Sequence, residues 1–153
     1  MTLQETITQD TISALKSGQE LRLVTLRMLQ AAVHNREIEK HGKGETAPLT
    51  DEEVSDVVRR EAKKRKEAIE LYKQGGRDEL AKKESEELAV LAAYLPPELS
   101  AEELEGIVRP IVEKAKGAGI TEFGKVMGMV MTAAKGKADA KAVGELVKKF
   151  LSS

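Results

Sequence analysis

Pro96 and Pro97 stand side by side in a chain whose apolar residues otherwise recur at helical spacing almost from end to end. Neither ring offers a backbone donor, and each restricts the residue before it, so no helix runs through the pair. The break divides the chain into residues 1–95 and 96–153. The fold class read from this pattern is all-α, with an N-terminal helical domain of about four helices followed by a small three-helix tail domain.

Local signals place the helices. Thr2 with Glu5, Thr50 with Glu53 and Ser100 with Glu103 each have capping-box spacing. The first helix is expected from about Leu3 to Ser17, stopping at Gly18, and the second over about Glu20–Lys40. The polar stretch 42–48 reads as a flexible loop. A third helix spans Asp51 to Gln74, with Val54, Val58, Ala62, Ile69 and Tyr72 on one face, until Gly75-Gly76 stops it; a fourth runs from about Asp78 to Tyr94. In the tail, one helix follows Ser100 with a kink expected at Pro110 and ends at the glycines of 116–119. Thr121 is expected to cap the next, with Phe123, Met127, Val130 and Ala134 facing inward. Asp139 is expected to cap the last, whose inner face is Val143, Leu146, Val147 and Phe150.

Composition matters mainly for what it removes. The sequence has no cysteine, which rules out disulfides, thiol nucleophiles and thiolate-ligated zinc. No apolar run approaches the ~18 residues of a membrane span, and no membrane partner is expected. The first fifteen residues hold Glu5 and Asp10 but no Lys or Arg, unlike a targeting presequence, so the expected compartment is the cytoplasm. Residues 1–108 hold 16 Lys/Arg against 22 Asp/Glu, whereas residues 109–153 hold 9 against 4. A polyanion would meet the C-terminal third.

The segment GAGITEFGKV imitates a phosphate-cradling loop, with four residues between Gly119 and Gly124-Lys125. That motif needs a buried strand before it and a hydroxyl after the lysine to ligate magnesium; here a helical segment precedes and Val126 follows. The nucleotide-loop reading fails, and Gly119 is a turn residue. Gly124 and Gly128 leave a small-residue strip where a backbone or ligand could approach. His34 and His41 have no third ligand at metal spacing and read as unpaired surface histidines. Asp51-Glu52-Glu53 suits a first helical turn, and Glu84 to Glu87 reads as a solvated face. No catalytic residue, metal site or cofactor is assigned.

Two basic constellations remain. In RREAKKRKE, Arg59, Lys63 and Lys66 share one side while Arg65 turns toward the Val58–Ile69 face; Glu61–Arg65 and Lys66–Glu70 have pairing spacing. This run is either a solvated helix face or an auxiliary phosphate-contacting surface. In TAAKGKADAKAVGELVKKF, Lys135 and Lys137 flank Gly136 at a helix break, and Lys141, Gly144 and Lys148 follow on one helical face. A glycine between two lysines would let a sugar-phosphate backbone lie close, with free donors at the helix starts nearby, although Asp139 would repel phosphate. Lys141 could instead pair with Glu145.

Residues 126–151, VMGMVMTAAKGKADAKAVGELVKKFL, resemble the end of the GatB/YqeY family. Val130, Met131, Lys135, Gly136, Lys137, Ala138, Asp139, Lys141, Val143, Leu146, Val147, Lys148 and Leu151 fit its pattern. LRMLQAAVHNREIE (26–39), RKEAIELYKQGGRDELAKKE (65–84) and LAVLAAYLPPELSAEEL (88–104) are similar to its stand-alone YqeY branch. The resemblance implies a helical domain with a three-helix tail. In the aspartyl/glutamyl-tRNA amidotransferase B subunit that tail touches tRNA, attached to a catalytic body absent from this chain. What could carry over is recognition of tRNA or a tRNA-like RNA through Lys125, Lys135, Gly136, Lys137, Lys141 and Lys148. Two alternatives stand beside it. One is a protein-interaction adaptor docking an aminoacyl-tRNA synthetase or amidotransferase subunit. The other, from the family resemblance, is a carbon–nitrogen ligase with glutamine as amido donor.

Overall fold

Seven helices follow the capping and glycine signals closely in the computed structural model, which describes residues 1–96, 99–134 and 137–153. They are α1 (Leu3–Lys16), α2 (Glu20–Gly42), α3 (Asp51–Gln74), α4 (Asp78–Ala92), α5 (Ala101–Gly117), α6 (Phe123–Ala134) and α7 (Ala140–Leu151). No strand occurs among the described residues, so the fold is all-α. The chain forms two compact units, Met1–Leu95 and Pro96–Ser153.

Both partners of the capping box are in place at Thr2, Thr50 and Ser100. Gly76 and Gly119 end the turns after α3 and α5 at φ of 71° and 77°, a left-handed conformation that costs a side chain dearly. α2 runs two residues past its expected end, to Gly42, and three further helix ends differ in bound or in cap bonding. α4 stops at Ala92, two residues before Tyr94. α6 opens at Phe123, with the Glu122 carbonyl rather than the Thr121 residue at its cap position, accepting from Val126 N–H at 3.1 Å. Asp139 holds the cap position of α7 but makes no side-chain capping bond. α5 continues through Pro110; both Pro110 and Gly106 are exposed, so water can meet the carbonyl that the proline leaves without an amide.

In unit 1, α1 packs on α2 and α3, α2 on α3 and α4, and α3 most extensively on α4. Their shared core is aliphatic, centred on Ile7, Leu26, Leu29, Val54, Val58 and Leu91. The polar groups buried beside it are paired. Lys40 Nζ lies 2.9 Å from Glu53 Oε2 and donates to the Pro48 carbonyl at 3.2 Å. The loop expected to be flexible is therefore anchored at its far end, where Leu49 is buried. The Lys40 hydrogen bond, with that of the Thr50 amide, holds the Glu53 carboxyl below the usual carboxylate range.

Arg65 is buried as the spacing predicts, and it meets Glu61 Oε2 at 3.4 Å. It also meets Glu87 Oε2 through Nε at 3.4 Å, close enough for ion pairing though off the line of a hydrogen bond. Glu87 is thus buried between α3 and α4, not part of a solvated face. The rest of the basic run stays at the surface, with Arg59 paired to Asp56 and Lys64 to Glu61.

Tyr94 closes unit 1 by donating its hydroxyl to Asp10 Oδ2 at 2.6 Å, while Arg22 stands 3.7 Å from the same oxygen. Burial, and then the neighbouring carboxylate, push the phenol up to about 12 from an ordinary 10. The neutral phenol is the donor, so its stabilising effect is complete below pH about 10 and is lost as pH rises through about 12. Absorbance titration of phenolate should show a component with that high midpoint, and Tyr94→Phe should abolish it. The same substitution should cost about 1 kcal/mol in urea unfolding at neutral pH.

Candidate nucleic-acid interface

Unit 2 is built on valine. Val108 and Val112 of α5, Val126 and Val130 of α6, and Val143 and Val147 of α7 are all fully buried, and each pair of these helices is in contact. Compact β-branched side chains at the seam turn the lysines of α6 and α7 outward. Lys125, Lys137, Lys141 and Lys148 are all exposed. Lys135 and Gly136, also expected at the site, lie outside the described residues.

Gly144 is not an open strip between lysines. It is buried, and a Cβ placed on it would lie 3.6 Å from Phe123 Cζ and 4.0 Å from Met127 Cε. The missing side chain lets α6 close on α7. Phe123, expected in the core, instead lies over this glycine with 40% of its surface exposed. Lys148 Nζ sits 5.5 Å from the centre of its ring, within range of a cation–π contact. The surface between Lys141 and Lys148 is therefore aromatic rather than bare backbone. Gly124 and Gly128, by contrast, do face open space.

The remaining cations divide into engaged and unengaged. Lys125 pairs with Glu122 at 3.5 Å, both well exposed, a contact of small net worth. Arg109 pairs with Glu105 at 3.4 Å and covers one side of the Phe150 ring at 5.0 Å. Lys149 also approaches that ring, at 5.8 Å. Lys116 donates to the Phe150 and Ser153 carbonyls at 3.3 and 2.6 Å, a cation at the negative end of α7. Sequence reasoning missed Arg109 and Lys116, whose contacts with Phe150 lie over thirty residues away. Lys137 and Lys141 have no ion pair among the described residues; the expected Lys141–Glu145 contact does not form.

The main chain fixes where these two lysines stand. Leu99 N–H donates to the Lys137 carbonyl at 3.0 Å, so the α6–α7 connection lies against the approach to α5. Asp139 makes no side-chain cap, and among the described residues nothing else accepts from the first amides of α7, close in the chain to Lys137 and Lys141. Unpaired ammonium groups next to unsatisfied helix-start donors attract anions on two counts, local charge and the helix dipole. The same end carries Glu102 and Glu103 on the first turn of α5, of which Glu103 is engaged with Ser100.

Elsewhere, His34 is not the unpaired histidine expected: its Nδ1 lies 3.5 Å from Glu37, which also accepts from Gln4 at 2.6 Å. Among the described residues no group of three or more His, Asp or Glu is placed to hold a metal ion, and no helix is long and apolar enough to cross a membrane.

By fold, then, this is an all-α protein of two helical units. The chain belongs to the family described as Yqey-like protein, which matches it over residues 4–151. It is similar to the Altered inheritance of mitochondria protein 41, mitochondrial, of Pyrenophora tritici-repentis, with 28% identity over 147 residues, 94% of this chain and 78% of the relative. The protein of the same name from Eremothecium gossypii is 33% identical over 98 residues, covering 63% of this chain; the match spans about half, 51%, of that relative.

Because a methyl at Gly144 would meet its neighbours only at van der Waals distance, Gly144→Ala should raise stability by up to about 1 kcal/mol through helix propensity. Gly144→Leu should displace Phe123 and lower it. Thermal unfolding of the two variants checks both signs.

Proposed function

We propose that this protein is a non-catalytic helical module that binds tRNA or a tRNA-like RNA through its C-terminal unit. In this reading it is related to the tail of the tRNA-dependent amidotransferase B subunit. The observation that supports it best is that Lys137 and Lys141, both exposed and without an ion pair among the described residues, stand two residues either side of Asp139 at the start of α7, which has no side-chain cap. Lys148 and Lys125 extend the basic surface along α7 and α6, with Phe123 between them. Ammonium groups and main-chain amides read phosphate geometry rather than base sequence, which suits a folded RNA. The single half-exposed aromatic, already carrying Lys148, offers little room for stacking a run of unpaired bases.

The adaptor reading, in which a synthetase or amidotransferase subunit is the partner, would take its place if RNA binding fails. The glutamine-dependent ligase reading rests on family resemblance alone. The two fungal relatives are mitochondrial by name, so a mitochondrial tRNA belongs among the RNAs tried.

Fluorescence anisotropy of the whole protein with folded tRNA, across a salt series, is the test. With three to five phosphates contacted, log affinity should fall against log salt with a slope of roughly −3 to −5. Lys137→Glu combined with Lys141→Glu should weaken binding at least tenfold with helicity unchanged, and should flatten that slope by about 2. Equal affinity for an unfolded RNA, or no binding at low salt, would count against the proposal.

A further inference from the structure

The outer face of α2 is unlike that of its neighbour. Along the exposed face of α3 stand Arg60, Lys63, Glu67, Glu70 and Lys73, as befits a helix side turned to water. On α2 the outward positions Val24, Met28, Ala31, Asn35 and Ile38 recur at spacings of four, three, four and three, with half-buried Leu21 three residues before them. Val24, Met28 and Ile38 are 49%, 48% and 57% exposed. This is the a/d repeat of a helix that meets another helix. It lies on the side away from the core residues Leu26, Leu29 and Val33.

We infer that α2 pairs through this stripe with α2 of a second copy of the chain, the two helices running parallel. Two features select that occupant. Asn35 falls at an a position and has no hydrogen bond of its own through its side chain. In a parallel pair it meets its own counterpart across the two-fold axis, where two amides satisfy each other and fix the register. Charges flanking the stripe agree. The parallel register sets His34 near Glu39 of the second copy and Arg27 near Ala32, so no like charges oppose. The antiparallel register would leave Asn35 opposite Val24.

Length sets the strength. From Leu21 to Ile38 the seam covers about 27 Å, some two and a half heptads. A free peptide of that length would be too short to pair, but here α2 is already held as a helix by unit 1, so little ordering entropy remains to oppose association. A small seam between prefolded helices gives a weak dimer. Met28 already leans toward α3, its sulfur 3.7 Å from Arg65 Nη2, and its flexible chain can serve both contacts.

The absence of cysteine makes the test clean. Asn35→Cys in the full chain should form an interchain disulfide under mild oxidation at least tenfold faster than Lys63→Cys on the charged face of α3. Sedimentation velocity of the unmodified chain should show a concentration-dependent dimer, and Ile38→Lys should weaken it at least tenfold with its circular dichroism unchanged. A monomer at several hundred micromolar, or equal oxidation rates at the two cysteines, would overturn the proposal. Preferential cross-linking between Val24→Cys and Asn35→Cys chains would overturn the parallel arrangement.

Discussion

The positions of the lysines on unit 2 all depend on how closely its three helices approach, and valine sets that distance. Six buried valines fill the space between α5, α6 and α7 without an aromatic ring at the centre. A seam of such small side chains draws the helices together until a full side chain at Gly144 has little space left. The glycine answers that constraint, and Phe123 closes over it. Lys141 and Lys148, three before and four after the glycine, are thereby presented at the margins of an aromatic lid. A larger residue in the seam would separate α6 from α7 and spread the cations with them.

Unit 1 solves a different problem. An aliphatic core is indifferent to small shifts of one helix along another, because Leu, Val and Ala packed at native density accept many arrangements. The polar contacts at its edges are not indifferent. Lys40 with Glu53 joins α2 to α3, Arg65 with Glu87 joins α3 to α4, and Asp10 receives both Arg22 of α2 and Tyr94 beyond the end of α4. Arg65 and Glu87 are both buried, and separating such a pair strands a charge where water cannot solvate it, while the more exposed pairs contribute less. Each such pair therefore penalises the neighbouring registers more than it strengthens the observed one.

How far these arrangements can be read in the sequence follows from their range. Capping boxes and glycine stops act within four residues, and the bounds of α3 were legible to the residue from Thr50, Glu53 and Gly75. The inward turn of Arg65 was legible too, since helical phase alone places it. Its second partner was not: Glu87 sits among acids that suit solvent, and only the contact of α3 with α4 brings it to the guanidinium. Gly144 failed for the same reason. Its phase on α7 is opposite Val143 and Phe150, so the sequence of α7 alone makes it outward; burial comes from Phe123, some twenty residues earlier on another helix. Lys125, Lys137, Lys141 and Lys148 were legible as exposed cations because exposure needs no partner.

The charge imbalance of the sequence also changes meaning once the helices are in place. Cut at residue 108 the chain looks sharply polarised, but unit 2 begins at Pro96 and carries nine basic residues against eight acidic ones. Net charge so near zero supplies almost no long-range pull on a polyanion. Beyond a Debye length of about 8–10 Å its acidic and basic groups largely cancel. Within that distance the cancellation is uneven. Glu103, Glu105 and Glu122 are engaged with a helix cap, Arg109 and Lys125, while Lys137 and Lys141 have no acidic partner among the described residues. Lys137 and Lys141 flank the exposed Asp139, so any net attraction at the start of α7 acts only at short range. A phosphate must already be close, and correctly oriented toward those amides, before it gains from them. Such a surface favours a rigid, prefolded phosphate array over a flexible strand, because only the former brings several phosphates into range without first losing its own conformational freedom.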